Sequence, residues 1–561
     1  MLNLSQIKRK RMLEFLDKIK EEHINDDEML IALGEIENEL NSKKYGLVWE
    51  EHEEQVDVQM RTHIPVFTEI TEREIAVAPE KPYNFLLEGD NLHSLYLLEK
   101  THKGKIDVIY IDPPYNTKNK DFVYDDCFIG EDDAYRHSKW LSFMINRLII
   151  ARKLLSKKGV IFISIDDNEL STLHLLCDQV FGEKNFIGQF HWLKSKTPPN
   201  LSKKIKKQLE YILCYEKNKD NIEYEGVQKS SKSDDPFTKP QNSIKQLKFP
   251  AGSITVCIPD GIYKAGIYGT KTFPNKMIND MIVVNGRNKN DVIFENKFIW
   301  TQDTLEKNIE GGVEIFIRAK SLVLSYKRQN YGKDIPSNLI DLTVGADTTE
   351  NASKKLIELL GKKCFDYPKD VGLLKYLLSF KKFDSPTILD FFAGSGTTGQ
   401  AVLELNKEDG GNRKFILCTN NESQICDNVT YPRIKTIITG KRADGSTYSD
   451  GIPANLKYYR TDFVSKNEEM LSDALLEHIK EMVQLEHMVK IDGKNYVLLL
   501  DDESADCLED KWKDYPDLKG IYISKNVLLT ASQNELFNSV EMKVIPDYYF
   551  NFELKEVGEA W

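Results

Sequence analysis

The sequence predicts a doubly wound α/β fold, in which a mostly parallel sheet is interrupted by one long insertion. Two apolar, β-branched runs, at 106–111 and 159–165, have the composition of strands buried on both faces. The amphipathic helix between them is expected to end at Gly159, where glycine would form a C-cap. The same alternation returns at 387–392 and 414–419. Alternating buried strands and helices are typical of a parallel sheet, so the two parts are expected to complete one sheet.

Residue composition and hydrophobic pattern divide the chain into five segments. Residues 1–80 have apolar residues near helical spacing and are expected to form a helical region. Residues 81–190 and 351–440 carry the α/β pattern. Residues 191–350 combine short strand-like pieces with many Lys, Asn and Ser, which indicates an inserted, mostly β or mixed domain. Residues 441–561 have strand patterns of their own and are expected to form a smaller C-terminal α/β domain.

Composition indicates a globular protein of a reducing compartment. The 561 residues are 41% hydrophobic and 29% charged, which is ordinary for a chain with a sizeable core. No run of 18 apolar residues occurs and no signal-peptide pattern is present, so neither a membrane span nor secretion is expected. The eight cysteines are scattered without a C-x-x-C pair, which favours the cytoplasm over a disulfide framework or a zinc site.

Charge is distributed unevenly along the chain. The net charge is −12, but residues 191–340 contain 25 Lys and Arg against 16 Asp and Glu. Phosphate contacts need only a local basic surface, so this segment is a candidate for DNA contact, although chance explains the charge about equally well. The best candidate is the stretch 194–207, for which a solvated loop is the alternative. Its six lysines, predicted to contact phosphates, are Lys194, Lys196, Lys203, Lys204, Lys206 and Lys207.

The motif Asp112-Pro113-Pro114-Tyr115 directly follows the strand predicted at 106–111. Ligands of doubly wound sheets bind at the carboxyl ends of strands, and two prolines fix the backbone there. Asp112 and the Pro113 carbonyl can each accept a hydrogen bond from an exocyclic amine, and Tyr115 offers a face on which an extruded base can stack. The alternative is a rigid turn with Tyr115 as packing, which the position after a buried strand disfavours.

A glycine-rich motif, DFFAGSGTT, follows the strand that begins at residue 387. Glycines at a strand-to-helix turn let a ligand approach the backbone closely. With Gly399 the spacing also matches the dinucleotide fingerprint, so a nicotinamide-dependent enzyme is a remote alternative. The aspartate before the glycines argues against it, because a carboxylate suits the ammonium group of a methionine moiety and would repel a pyrophosphate. The cofactor-binding residues predicted here are Asp390, Phe392, Gly394, Gly396, Thr397 and Thr398.

Acidic residues follow two other predicted strands. Glu422 comes after 414–419, where an acidic residue would hold ribose hydroxyls; a solvated loop glutamate is the alternative. Asp166, Asp167 and Glu169 follow 159–165. We interpret this cluster as the start of a helix, where acidic residues are favoured, rather than as a metal site, and no metal is predicted.

Together these motifs resemble those of the DNA amino-methyltransferases, in which D-P-P-Y is the catalytic signature and F-x-G-x-G the cofactor signature. Here the catalytic motif comes first and the basic segment lies between the two, as in the beta class. The match is closer still to the modification subunits of Type III restriction–modification systems. The segments that carry it are KYGLVWEEHEE (44–54), GDNL (89–92), DPPYNT, GVIFISIDDNE (159–169), FDYPK (365–369) and DFFAGSGTT.

The resemblance implies a Rossmann-like sheet with an inserted target-recognition domain and S-adenosylmethionine as cofactor. It implies direct methyl transfer to N6 of a flipped-out adenine in double-stranded DNA. By the match to FDYPK, Lys369 would lie near the cofactor carboxylate; a surface lysine is the alternative. The resemblance also implies a prokaryotic protein that forms a homodimer and binds an ATP-dependent restriction subunit, with the N-terminal helices and the C-terminal domain as candidate interfaces. The chain has no G-x-x-x-x-G-K-[ST], so ATP-driven translocation would belong to that subunit.

Three alternatives stay open at this point. The first is a solitary methyltransferase without a restriction partner. The second is a cytosine-N4 methyltransferase, although that group usually has Ser where Asp112 stands. The third is a DNA-recognition subunit without catalysis, which the intact motifs oppose.

Overall fold

The computed structural model describes residues 4–23, 26–41, 49–79, 81–117, 123–124, 127–128, 133, 135–197, 204–226, 234–269, 274–328, 333–491 and 495–559. Lys203 and residues 44–48 of the first family segment lie outside this part of the chain. None of the helices described in it is long and apolar enough to cross a membrane.

Helices and strands alternate through most of the chain. The helices are α1 (Leu4–Glu22), α2 (Asp27–Asn41), α3 (Gln55–Thr62), α4 (Asn91–His102), α5 (Arg136–Leu154), α6 (Leu170–Cys177), α7 (Gln302–Glu310), α8 (Thr349–Leu360), α9 (Val371–Leu378), α10 (Thr397–Asp409), α11 (Tyr431–Thr439), α12 (Leu471–Leu476), α13 (Ile479–His487), α14 (Asp502–Asp510), α15 (Ala531–Phe537) and α16 (Asp547–Glu556).

The strands are β1 (His63–Glu69), β2 (Ile75–Ala76), β3 (Tyr83–Glu88), β4 (Ile106–Ile111), β5 (Val123–Tyr124), β6 (Cys127–Phe128), β7 (Leu155–Ile165), β8 (Phe186–Leu193), β9 (Leu209–Glu216), β10 (Asp235–Pro236), β11 (Lys245–Phe249), β12 (Ile254–Val256), β13 (Gly261–Tyr263), β14 (Gly266–Gly269), β15 (Pro274–Met277), β16 (Met281–Val284), β17 (Arg287–Asn288), β18 (Val292–Asn296), β19 (Glu314–Ile317), β20 (Leu324–Lys327), β21 (Leu339–Ile340), β22 (Thr387–Asp390), β23 (Lys414–Thr419), β24 (Asn455–Ser465), β25 (Tyr496–Leu499), β26 (Gly520–Ser524) and β27 (Glu541–Ile545).

A sheet of eleven strands organises the larger structural unit, Met1–Ile222 with Ser337–Trp561. Ten strands follow one path, β1-β24-β3-β23-β22-β4-β7-β9-β8-β21, and β2 pairs with β24. From β24 to β7 every neighbouring pair is parallel, whereas β9 is antiparallel to both of its neighbours. The central strands are buried along their length, as β3 and β22 illustrate, which is typical of a parallel sheet. The predicted mostly parallel α/β sheet is confirmed.

The second structural unit is narrower than the insertion predicted at 191–350, because it comprises only Glu223–Pro336. Strands β8 and β9 belong to the main sheet, where they extend it beyond β7, and β21 pairs with β8. The lysine-rich stretch 194–207 therefore connects two strands of the main sheet.

The second unit has a β structure with its own core. Its strands form one sheet in the order β10-β20-β19-β12-β17-β16-β13 and another in the order β11-β18-β15-β14. Phe237 lies within an aromatic cluster in this core, with its ring centroid 4.7 Å from that of Trp300 and 5.6 Å from that of Phe298. A predominantly β arrangement is what the short strand-like pieces of this segment indicated.

Both ends of the chain contribute to the main sheet. Strand β1, within the predicted helical region 1–80, pairs antiparallel with β24, which lies in the segment predicted as the C-terminal domain. Beyond β24, the strands β25, β26 and β27 form a small parallel sheet with a core cluster of its own. Helix α16 packs onto the main core through Phe550 and Leu554. The predicted boundaries at residues 80 and 441 therefore fall next to strands of the same sheet.

Gly159 does not end a helix. Helix α5 ends at Leu154 and β7 begins at the next residue, which pairs with Ile106. The register between β4 and β7 shifts after this pair, so β7 contains an irregularity that ends near Gly159. A Cβ atom at Gly159 would lie 3.0 Å from the Ile106 carbonyl oxygen, closer than a side chain tolerates. The glycine is needed for close packing in the strand, and the expected C-cap is wrong.

Candidate active site

Two loops leave neighbouring strands at the same edge of the main sheet. Strands β4 and β22 are parallel and adjacent, with Ile109 paired to Leu389. The motif that begins at Asp112 and the motif that begins at Asp390 therefore start side by side, although 278 positions separate the two aspartates in the sequence. This edge is where a doubly wound sheet binds its ligands.

The loop after β4 is held from outside by buried side chains. The indole nitrogen of Trp140 donates a hydrogen bond of 2.7 Å to the Pro114 carbonyl. Asn116, whose φ of 52° is unusual for a residue other than glycine, donates to Glu169 over 2.6 Å. Glu169 also lies 2.6 Å from Nδ1 of His137. These contacts fix the turn. Pro113, on the same loop, lines a cleft at this edge of the sheet.

The acidic cluster at 166–169 lies at the start of a helix, as predicted, with Glu169 at the N-cap position of α6. The Glu169 side chain makes no capping hydrogen bond and instead holds Asn116. Asp167 accepts a hydrogen bond of 2.7 Å from Tyr211. Within the described part of the chain, no group of His, Cys, Asp and Glu is arranged to hold a metal ion.

The glycine loop after β22 is shaped by positive φ angles, 46° at Gly394 and 77° at Gly396. Asp390 is buried beneath it. One Asp390 oxygen accepts a hydrogen bond of 3.0 Å from the Phe392 backbone N–H, and the other accepts one from the Thr398 hydroxyl. No basic side chain of the described residues pairs with this carboxylate. Burial raises the pKa of Asp390 to about 7, because both hydrogen bonds only partly offset the loss of water.

Arg433 supports the glycine loop from α11. Its buried guanidinium donates to the hydroxyls of Ser395 and Thr397 over 3.0 and 2.8 Å and to the Gln400 side chain over 2.8 Å. Burial among these neutral groups lowers the pKa of Arg433 to about 10. The Thr397 and Thr398 hydroxyls are therefore both engaged inside the protein, so their structural part is to shape the loop.

Lys369 connects the two loops. Its ammonium lies 2.9 Å from an Asp112 oxygen and donates to the Tyr115 hydroxyl over 2.8 Å. Tyr115 in turn donates to the other Asp112 oxygen over 2.7 Å. The backbone carbonyl of Lys369 lies 3.5 Å from the hydroxyl of Thr397 in the glycine loop. In this structure the lysine is buried and its side chain contacts the Asp112 loop, whereas the FDYPK match suggested the cofactor carboxylate.

Glu210, on β9, was not singled out from the sequence. Its side chain is buried, and one carboxylate oxygen lies 3.2 Å from the Lys369 ammonium. The second oxygen accepts a hydrogen bond of 2.9 Å from the Lys194 ammonium. Burial would raise the pKa of Glu210, but the two lysines lower it below its ordinary value, so the carboxylate is ionised. The same two carboxylates, Asp112 and Glu210, overcome the effect of burial on Lys369 and raise its pKa.

The Asp112 loop, Glu210 and Lys369 line a cleft of ≈ 680 Å³ at the sheet edge. Its size suits a nucleobase together with part of a cofactor. The charged and aromatic residues that line it include Asp112, Tyr115, Lys194, Lys207, Glu210 and Lys369.

The remaining predicted residues lie around this edge in different settings. Glu422 begins a short turn after β23, the strand next to β22, and is exposed. Of the six lysines predicted to contact DNA, Lys194 pairs with Glu210 and Lys207 pairs with Asp167 at 3.2 Å. The other described members of that set are exposed: Lys196, Lys204 and Lys206.

Comparison of the sequence with known protein families identifies the family to which a chain with this site belongs. The model of the DNA methylase family matches residues 106–430, which is more than half of the chain and includes both loops. The chain belongs to the DNA methylase family. The resemblance to this family on which the sequence interpretation depended is confirmed.

Three curated relatives of this DNA methylase illustrate its similarity. The StyLTI Mod subunit, a Type III restriction-modification enzyme of Salmonella typhimurium, is 32% identical over 70% of this chain and 62% of its own length. The Type II methyltransferase M.KpnI of Klebsiella pneumoniae is 32% identical over 61% of this chain and 82% of its own. The Type III EcoPI Mod subunit of Escherichia phage P1 is 31% identical over 60% and 58%. The alignments thus span less than two thirds of the Type III relatives.

Among solved structures, the cytosine-N4-specific PvuII DNA methyltransferase aligns with 63% of this DNA methylase and 93% of its own chain. The sequence identity is 12% and the TM-score is 0.32.

Proposed function

We propose that this DNA methylase transfers a methyl group from S-adenosylmethionine to the N6 amine of an adenine extruded from double-stranded DNA. The observation that carries the proposal is the adjacency of two loops at one sheet edge. Asp112 and Tyr115 on one loop line the cleft, and the other loop is a glycine turn. An amine cannot be reached inside a duplex, so the base must leave the stack to enter the cleft.

The glycine loop suits this cofactor. Asp390 is a buried carboxylate without a described basic partner, which is what a cationic ammonium group of a ligand requires. We propose that Asp390, Phe392, Gly394 and Gly396 hold the methionine moiety and that Glu422 holds the ribose. When bound, the cofactor supplies an electrophilic methyl group on a sulfonium.

Asp112 and Pro113 would orient the target amine. Each presents an oxygen acceptor, and the two N6 hydrogens are its two donors. Holding the amine in this way aims its lone pair, and the negative charge of Asp112 stabilises the positive charge that develops on N6 as the N–C bond forms and the S–C bond breaks. The proton that N6 then loses passes to water. Tyr115 would stack on the base, and such stacking contributes about 1–3 kcal/mol per base. Catalysis in this scheme comes from position and charge.

Adenine is preferred to cytosine as the target because an aspartate begins the catalytic motif. The cytosine-N4 alternative places Ser at this position, and this chain has Asp112. A recognition subunit without catalysis would not need the hydrogen-bonded arrangement of Asp112, Tyr115 and Lys369.

We further propose that the protein is the modification subunit of a Type III restriction–modification system. Two relatives of this type, at 32% and 31% identity, support the proposal. The protein would then form a homodimer and bind an ATP-dependent restriction subunit that carries the helicase and nuclease. A solitary methyltransferase is the alternative, and co-purification with the product of a neighbouring restriction gene distinguishes the two.

The test is to incubate the purified protein with S-adenosylmethionine and DNA that contains all short sequence contexts, and then to analyse the nucleosides. We expect N6-methyladenine confined to one sequence context, which is the outcome of site-specific transfer. Appearance of N4-methylcytosine would replace the adenine assignment, and absence of any methylated base would refute the proposed activity.

A further inference from the structure

The Lys369 ammonium has no hydrogen-bond donor left for a ligand. An ammonium has three donors, and three oxygens lie within reach: Asp112 Oδ2 at 2.9 Å, Tyr115 Oη at 2.8 Å and Glu210 Oε2 at 3.2 Å. Lys369 therefore occupies one Asp112 oxygen, and the Tyr115 hydroxyl donates to the other over 2.7 Å. Asp112 is the group that the proposed function assigns to the amine of the target base.

An incoming amine meets an Asp112 carboxylate that already accepts from Tyr115 and Lys369. Of these two donors, the Lys369 ammonium is the charged one, so its position decides how strongly Asp112 attracts the amine. Separating Lys369 from Asp112 would leave an ammonium buried without a counter-charge, and an unpaired buried charge is strongly unfavourable. Glu210 removes this obstacle, because it already contacts the same ammonium from another direction. Lys194 pairs with the second oxygen of Glu210 and so fixes the orientation of that carboxylate.

Methyl transfer moves a positive charge from sulfur to N6, next to Asp112. A Lys369 ammonium on Asp112 would weaken the attraction that Asp112 offers to that charge. Asp112 and Glu210 together balance Lys369 and Lys194, so the cluster as a whole is neutral and the position of the Lys369 ammonium decides the effect. An ammonium held on Glu210 leaves the charge of Asp112 to the developing cation, which favours the transition state.

We propose that Glu210 is a positioning residue for methyl transfer: it retains the Lys369 ammonium when the target amine takes the place of that ammonium on Asp112. The inference rests on the proposed function. It adds to that function a residue from β9, outside both motifs.

The experiment compares Glu210→Gln with Glu216→Gln in the full-length protein. Glu216 is a matched control, because it lies at the other end of β9 and forms a buried pair of 2.7 Å with Lys381, away from the cleft. Both variants lose one buried carboxylate beside a lysine, so their losses of stability should be similar. The steady-state kcat and KM for duplex DNA are measured for both, together with the thermal midpoint.

We expect Glu210→Gln to lower kcat by roughly 10- to 100-fold, in the range of losing one preorganised electrostatic group. Glu216→Gln should keep kcat within about threefold of the original protein, since it alters stability without altering the charge at Asp112. Glu210→Asp, which keeps the charge, should recover most of the loss. Extrusion of the target base can be measured by the fluorescence of 2-aminopurine placed at the position of the target adenine. This extrusion should persist in Glu210→Gln, because 2-aminopurine has no 6-amine to contact Asp112.

Unchanged kcat in Glu210→Gln, or an equal loss in both Gln variants, would overturn the inference while leaving the proposed function intact. If the original protein transfers no methyl group to adenine, the proposed function fails and the inference fails with it.

Discussion

The loops after β4 and β22 each begin with an aspartate, yet the two carboxylates are stabilised in opposite ways. Asp112 contacts the Lys369 ammonium at 2.9 Å and accepts from the Tyr115 hydroxyl at 2.7 Å. Asp390, one strand away, accepts only neutral donors among the described residues, the Phe392 N–H and the Thr398 hydroxyl. Among the described residues, a counter-charge thus contacts the first carboxylate and none contacts the second.

This difference indicates a division of roles between the loops. A carboxylate that the protein pairs with its own cation in the ligand-free site can accept a neutral group such as an exocyclic amine, provided that the cation has a second carboxylate, here Glu210. A buried carboxylate without a cation gains most from a ligand that brings one. The loop after β4 is thereby suited to the base and the loop after β22 to the cofactor.

The largest effect expected from this division is that of Asp112→Ala. Without the carboxylate the amine is neither oriented nor stabilised as it becomes positive, so transfer should fall by roughly 10²–10³-fold or more. Binding of S-adenosylmethionine, measured by calorimetry, should stay within about threefold, because Asp112 is assigned to the base. As a control, Asp107→Ala changes the same residue type near the opposite end of β4 and should leave transfer nearly intact. Full activity of Asp112→Ala would contradict the role of this loop.

Asp390→Asn should give the converse result. Removing the negative charge should weaken cofactor binding by roughly 10- to 100-fold, which corresponds to the ~1.5–3 kcal/mol of a hydrogen bond to a charged group. Transfer should recover largely at saturating cofactor, since the base site is unchanged. Asp409→Asn, at the far end of α10, is the control. A loss of kcat at saturation, with unchanged cofactor affinity, would reverse the assignment of the two loops.

A smaller effect is expected from pH. Asp390 has a raised pKa of about 7 in the ligand-free protein, so it is mostly protonated at pH 6 and ionised at pH 8. If the ionised form binds the ammonium of the cofactor, the Kd should fall by about tenfold between these values, since one proton is released per site. The Asp390→Asn protein should show a much flatter profile. A Kd of the original protein that is equally flat would remove the cation-binding role of Asp390.

The sequence was informative where chemistry and strand pattern coincide. The apolar runs at 106–111 and 414–419 form strands with those bounds, because β-branched residues buried on both faces have few alternatives. The adjacency of the Asp112 and Asp390 loops followed from the parallel sheet, in which carboxyl ends meet at one edge.

Glu210 could not be found in this way. It lies in LEYILCYE, an ordinary strand pattern, and its partners at 115 and 369 are brought to it only by the fold. Lys194 looked like a phosphate contact because local charge cannot show that a carboxylate from another strand will face it. The same limit applies to Gly159, where the neighbouring strand β4 lies too close to leave room for a side chain.

The central claim is that one cleft brings an extruded adenine and the cofactor together between these two loops. A crystal structure with a cognate duplex and an S-adenosylmethionine analogue that cannot donate its methyl group tests it most directly. We predict the adenine N6 within hydrogen-bond distance of Asp112, the base against Tyr115, and the methionine ammonium beside Asp390. A target base bound elsewhere, or a cofactor far from the glycine loop, would contradict the account.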